Sequence, residues 1–253
     1  AIGKLHRLAR LTRRHPEFSH IFRSCYLRAM TVPPLAVEIE PDAHGVHLEL
    51  LVLRGDPAVF IDSVVNRRGE RAVQSARETP LDPDVVRAVR QMLKHGRYRA
   101  TGRGKPAHEF LFKAAGEGRF PRVFAAVDLL NAVSLRSQLP MSLIDLDAAE
   151  TSTFRLRRGR EGEAFTFNTA GQQIDLQDLL LVATAPGDEP CANPVKDALR
   201  TKLKPTSTRF AAMIYAPVEL AARAEAARTT LAEAYAEAWP GAHRSSGVAS
   251  AAS

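Results

Sequence analysis

The chain has 253 residues, 45% of them hydrophobic, which is enough to bury a sizeable core as one domain with extensions or as two small ones. No stretch approaches the roughly 18 uninterrupted apolar residues that a bilayer crossing needs, and Cys25 and Cys191 are too far apart for a zinc knuckle or a disulfide framework, so a soluble protein of a reducing compartment, the cytoplasm, is expected. The net charge of +7 is uneven: residues 1–30 carry seven cations against Glu17 and hold +6, which leaves +1 for all the rest.

Ile2, Leu5, Leu8 and Leu11 recur at three-residue steps between arginines, which predicts an amphipathic helix ending near His15 and Pro16. A basic arm over residues 1–34 on a nearly neutral body suits a polyanion, since each Lys or Arg on a phosphate releases a counterion; a solvated helix face has the same pattern. The body is expected over 35–217. Residues 47–54 read as a buried strand. Residues 80–94 read as a helix capped by Asp82, and 107–115 and 123–139 as further helices. Residues 154–158, 164–168, 173–176, 179–183 and 210–215 read as strands, and an Ala- and Glu-rich run over 218–240 as a C-terminal helix introduced by Pro217. Residues 241–253 offer too little apolar surface to offset their ordering entropy and are expected to be disordered.

The run Val127-Asp128-Leu129-Leu130-Asn131, followed by Ser134, Leu135, Arg136, Leu139, Pro140, Ser142 and Asp145, resembles the B3/B4 editing domain of the phenylalanyl-tRNA synthetase β chain. The frame continues through Phe154 to Arg157, Gly162-Glu163 and a last strand ending at Tyr215; Asn193-Pro194-Val195-Lys196-Asp197 and Thr201-Lys202 are similar to the free-standing bacterial branch. The likeness covers about residues 85 to 216. It implies an α/β fold of the α+β type, with a mixed or antiparallel sheet packed with helices, and a stand-alone protein that hydrolyses the ester of a misacylated tRNA in trans. The partner implied is the charged 3′ end of tRNA, with no membrane, metal or cofactor. Matched position by position, Ser142 stands where the family has a histidine that helps hold the 3′ end, and Ile214 where it has a glutamate that reads a tyrosine hydroxyl. A site built to hydrogen-bond a hydroxyl loses discrimination without its partner, so no preference for tyrosine is expected. Loss of both residues favours the alternative of a non-catalytic tRNA- or RNA-binding module; a third reading is an enzyme or binder for a small amino-acid-like ligand that uses the same pocket without tRNA.

Ester hydrolysis needs a positioned water, donors for the oxyanion and a hold on the ribose, but no strong protein nucleophile. Asn131, Ser134 and Gln138 share a helix face at i, i+3, i+7 and are expected to line one wall, joined by Ser142 and Asp197. Asp145 either contributes to the site or ties a helix end. Asn193, Lys196, Lys202 and Lys204, with Arg136 and Thr208, form a polar and cationic set suited to phosphate and ribose. His108 and Glu109, beside the turn Gly102-Arg103-Gly104-Lys105, offer an acid or base, with a structural role as the alternative; that turn lacks the spacing of a nucleotide-phosphate loop. Cys191 reads as a small buried apolar residue rather than a nucleophile.

Overall fold

The computed structural model describes residues 35–250, so the basic arm expected over 1–34 lies outside the described residues. Sixteen elements follow in order. Strands β1 (Ala36–Ile39) and β2 (Val46–Arg54) lead into helices α1 (Asp62–Glu78), α2 (Pro83–Leu93), α3 (Ala107–Gly116) and α4 (Ala125–Ser137). Then come β3 (Met141–Asp145), the single turn α5 (Leu146–Ala149), β4 (Thr153–Arg158), β5 (Ala164–Thr166), β6 (Gln173–Asp175), β7 (Leu180–Thr184), β8 (Pro190–Ala192), β9 (Arg209–Pro217), α6 (Ala221–Ala238) and β10 (His243–Ser250).

The fold is mixed α/β, with two four-stranded sheets and a hairpin of β5 and β6. One sheet runs β10-β2-β9-β3, antiparallel throughout. The other runs β1-β4-β7-β8, with β1 and β4 parallel. β2 and β9 are buried on both faces, as a sheet covered on each side requires, and their near-continuous apolar run reflects it. The two faces of β9 can be told apart by strand alternation. Phe210 stacks on Trp239 at 5.6 Å between ring centroids and meets Tyr235 edge-on at 5.8 Å, so Phe210, Ala212 and Ile214 face α6. The register agrees: Glu49, opposite Ile214, accepts a hydrogen bond from Arg228 of α6 at 2.7 Å. Ala211, Met213 and Tyr215 face the other way.

Asp82 caps α2 by accepting from the Asp84 and Val85 N–H groups, as its sequence predicts. Several elements differ from the sequence reading. α1 carries only Val64, Val65, Gly69 and Ala72 on its buried side, and a stripe of small residues gives little hydrophobic periodicity to read. β3 follows Pro140 where the helix pattern simply stops. The expected disorder over 241–253 is corrected at residues 243–250, where β10 pairs with β2 from Arg54 to His47; residues 251–253 lie outside the described residues. That strand gains its order from backbone hydrogen bonds to a ready edge rather than from apolar burial, so composition does not reveal it. Among the described residues no helix is long and apolar enough to cross a membrane.

Candidate functional site

The loop of residues 193–197 organises the site. Asn193 Oδ1 accepts from the Val195 and Lys196 N–H groups at 2.8 Å each, and the Asn193 N–H donates to Lys196 O at 3.0 Å, closing a tight turn. The Ala107 N–H donates to Pro194 O at 2.8 Å and docks the start of α3 on this turn. On one side of the loop lies a buried polar cluster. The Ser142 hydroxyl, fully buried on β3, donates to Asn193 O at 3.1 Å and accepts from the Tyr215 hydroxyl at 3.2 Å. Asp197 lies against β3: its Oδ2 is 3.5 Å from the Leu143 N–H, and the Ser142 side chain lies close to its carboxyl.

The carboxyl of Asp197 is enclosed by protein while the residue keeps a partial opening to solvent. Burial pushes its pKa up to about 6, against the opposing pull of Ser142, Lys202, the Leu143 N–H and Lys196. Burial and the neighbouring Lys202 lower the pKa of Lys196. Burial likewise raises that of Tyr215. A carboxylate with a pKa raised to about 6, beside the Ser142 hydroxyl and near two lysines, has the properties of a proton acceptor.

On the other side opens a groove of about 870 Å³, bounded by residues 97–104, the first turn of α3, the β5–β6 hairpin and Lys196. Its rim is held by local bonds. The Tyr98 hydroxyl donates to Gly104 O at 2.5 Å, and Asp178 Oδ2 accepts from the Arg97 N–H at 2.8 Å. Gly96, at φ +43°, has room for no side chain, because a Cβ there would lie 2.3 Å from the Asp178 carboxylate. Arg97 pairs with Asp175 at 2.6 Å, whereas Arg103 makes no bond to another described residue. Lys196 Nζ sits 5.0 Å from the ring centroid of Phe167 and 6.0 Å from that of Phe110, and Lys202 Nζ donates to Phe167 O at 2.6 Å. The groove therefore combines exposed cations with two aromatic faces. That pairing suits a single-stranded nucleic acid, whose bases stack while its phosphates pair with cations.

The residues singled out from sequence do not all meet here. Ser142, Asn193, Lys196, Asp197 and Lys202 converge. Asn131 and Ser134 do not: the Ser134 hydroxyl donates to Leu139 O at 2.7 Å, and half-buried Asn131 makes no bond to another described residue. Gln138 Oε1 accepts from the Asp82 N–H at 2.8 Å, so the expected wall of 131, 134 and 138 serves the packing of α4 and α2. Asp145 caps α5, accepting from the Asp147 and Ala148 N–H groups and from the Ser207 hydroxyl. Glu109 takes both of its hydrogen bonds from Arg90, at 2.8 and 2.5 Å. His108 is fully buried with neither ring nitrogen partnered, and burial lowers its pKa to about 4. Lys204 and Thr208 are exposed, the latter donating to Asp147 at 3.4 Å. Arg136 lies on a different seam, between α1, α4 and α6. The Cys191 thiol is buried, its pKa raised to about 11 by burial, and it donates to Glu189 O at 3.3 Å. Tyr215, Arg97, Arg103, Phe110 and Phe167 were not singled out. Four cations within residues 97–105 were the available signal, hidden because the segment fits no phosphate-loop spacing.

Fold and site define an α/β module with a basic, aromatic-lined groove and, across the loop of residues 193–197, a buried carboxylate. A model of the B3/4 domain matches residues 105–237, just over half of the chain, and the chain belongs to that family. Among solved structures, an N-terminal fragment of the phenylalanyl-tRNA synthetase beta-subunit from Pyrococcus horikoshii is similar at 10% identity and a TM-score of 0.45, over 85% of this chain and 51% of that fragment. The chain thus spans about half the length of that fragment. No curated protein matches the chain by sequence.

The register corrects one inference from the resemblance. Ser142 pairs with Met213 and faces the loop of residues 193–197, whereas Ile214 pairs with Met141 and faces α6. Two residues on opposite faces of one sheet cannot line one pocket, so Ile214 does not share a pocket with Ser142 in this chain. A slip of one residue brings Tyr215, whose hydroxyl touches Ser142, into the site.

Proposed function

We propose that the chain binds the charged 3′ end of a tRNA in the groove and hydrolyses the aminoacyl ester in trans. The observation that carries this reading is the junction at Lys196: the aromatic and cationic groove meets the Asp197–Ser142–Tyr215 cluster at one turn. Membership of the B3/4 family and the resemblance to an editing module support this choice of reaction class, which a fold alone does not give.

Phe110 and Phe167 stack terminal bases, and Lys196 and Arg103 hold phosphates. Asp197, ionised at neutral pH, takes a proton from a water that attacks the ester carbonyl carbon. The negative charge on the carbonyl oxygen develops near Lys196 and Lys202. As the bond to the ribose oxygen breaks, the proton held by Asp197 passes to that oxygen, releasing free amino acid and tRNA with no acyl-enzyme. Ser142 and Tyr215 act as positioning residues for the carboxylate.

Incubating the protein with a panel of correctly and wrongly charged tRNAs and counting released amino acid tests the proposal. Asp197→Asn is expected to slow single-turnover release by roughly tenfold to several hundredfold with tRNA affinity nearly unchanged, the mark of an interaction made in the transition state. Undiminished release by this variant would remove Asp197 from the chemistry. Binding without hydrolysis is the second reading, favoured by a serine where the family has a histidine, and tRNA binding with no release from any charged species would establish it.

A further inference from the structure

Arg136 opens onto a cationic cleft that shares no lining residue with the groove. Three helices build it. α1 contributes Arg67, Arg68 and Arg71, α4 contributes Arg136, and α6 contributes Glu237. Glu237 accepts from Arg67 at 2.7 Å and from Arg68 at 2.9 and 2.5 Å, which fixes both guanidinium groups. Arg71 and Arg136 are exposed and have no hydrogen-bond or ion-pair partner among the described residues. Four arginines and one carboxylate thus line the cleft, an excess of three positive charges.

The floor of the cleft makes that excess effective. Leu129, Ala132, Val133 and Ala234 line it, and apolar walls weaken the screening of nearby charge. Small residues where α4 meets α6 leave a hollow of about 80 Å³, roughly the space of two or three waters and enough for one tetrahedral oxyanion. A second hollow of about 180 Å³ shares Val133, Arg136 and Thr230 with the first and adds Arg223 of α6. Arg223 donates to Ser137 O at 3.1 Å and keeps a long contact of 3.8 Å to Asp82. Arginine forks therefore follow one another along a continuous seam. A guanidinium matches phosphate oxygens bidentately, and successive phosphates at regular intervals are what a nucleic-acid strand presents.

We propose that this α1–α4–α6 seam is a second RNA-phosphate site, engaging the backbone of the tRNA whose charged end occupies the groove. It rests on the tRNA reading given above, but its residues are separate from the site of chemistry. Because these contacts touch backbone alone, they add affinity and salt dependence without amino-acid selectivity.

The test measures binding of uncharged tRNA to the full chain by fluorescence anisotropy from about 50 to about 200 mM salt. Wild type is compared with R71Q/R136Q and with a groove variant, R103Q/K196Q. Losing two phosphate contacts is expected to weaken binding about tenfold and to shallow the log–log salt slope by about 1.5. Release of amino acid from saturating charged tRNA should stay within about twofold of wild type for R71Q/R136Q, since uniform binding energy does not alter the bound-state barrier. A second measurement on wild type uses phenylglyoxal modification of Arg71 and Arg136, read by mass spectrometry. Protection by tRNA but not by poly-glutamate is expected. Unchanged affinity and slope in R71Q/R136Q, or unprotected arginines, would overturn the seam proposal; loss of binding by R103Q/K196Q in the same experiment would leave the groove reading intact. If wild type binds no tRNA, both proposals fall. Protection by poly-glutamate alone would instead assign the seam to an acidic protein and overturn the RNA site.

Discussion

Replacing Asp197 with Asn separates stability from activity in opposite directions, and the structure sets the size of the split. The carboxyl titrates near pH 6 in the folded chain against an ordinary value of 3.8. An acid whose pKa is raised by folding holds its proton more tightly in the native state, so stability falls as pH rises through the window from 3.8 to about 6. Below that window both states are protonated and the residue costs nothing. Above it the full penalty applies, about 3 kcal/mol for about two pKa units. Asn keeps an oxygen that accepts from the Leu143 N–H, and it carries no charge to bury. Urea unfolding across pH is expected to find Asp197→Asn more stable than wild type by about 1–3 kcal/mol near pH 8 and nearly equal to it below about pH 4. The same variant should lose deacylation. A variant no more stable than wild type at pH 8 would refute the claim that an enclosed, ionised carboxylate sits at this position.

Cys191→Ala is expected to keep full deacylation and to show no thioester by mass spectrometry, because the thiol is buried and its pKa lies near 11. Ile214→Ala should lower stability by about 2–4 kcal/mol, read by urea unfolding, without changing the ratio of tyrosyl to phenylalanyl ester hydrolysis, since Ile214 is a fully buried residue facing α6. A changed ratio would return Ile214 to the pocket. Trp239→Ala should cost about 3–5 kcal/mol by the same measurement. Its ring stacks on Phe60 at 4.6 Å and on Phe210 at 5.6 Å, and its indole N–H donates to Asp56 O at 2.6 Å. A loss under about 1 kcal/mol would mean that this corner of the core repacks.

How much of this could be read beforehand depended on whether the signal was local. The strands β2, β7 and β9 are apolar runs between turn residues, β4 alternates Phe154 and Leu156 with arginines, and α2 announces itself by Asp82 and Pro83; such features belong to a few adjacent residues. α1 is different, because the side that it buries is made of Gly69 and Ala72 as much as of valines, and Gly69 is packed by Arg122 from a distant segment. β10 is different again, since a strand of Ser, Gly and Ala is specified by the edge of β2 that it meets. The site divides along the same line. Asn193 to Asp197 is one turn and was legible as a polar and cationic loop, whereas Tyr215 and the rim at Arg97 and Arg103 come to it through pairing and loop closure.

Spacing along α4 placed Asn131, Ser134 and Gln138 on one face, and that much is a property of the helix. What the face meets is a property of the fold. Ser134 and Gln138 donate to or accept from backbone groups that would otherwise be left without partners, at Leu139 and Asp82. Polar residues near a helix end are drawn to such groups first, because an unpaired buried donor or acceptor costs more than a paired one returns. Ser142 escapes this fate in part. It lies on β3, where the backbone groups already have ladder partners in β9, so its hydroxyl is left to link Asn193 and Tyr215 beside Asp197. Candidate chemistry in a chain of this kind is thus better sought on strands whose backbone is already satisfied than on helix termini, where small polar side chains have structural work to complete.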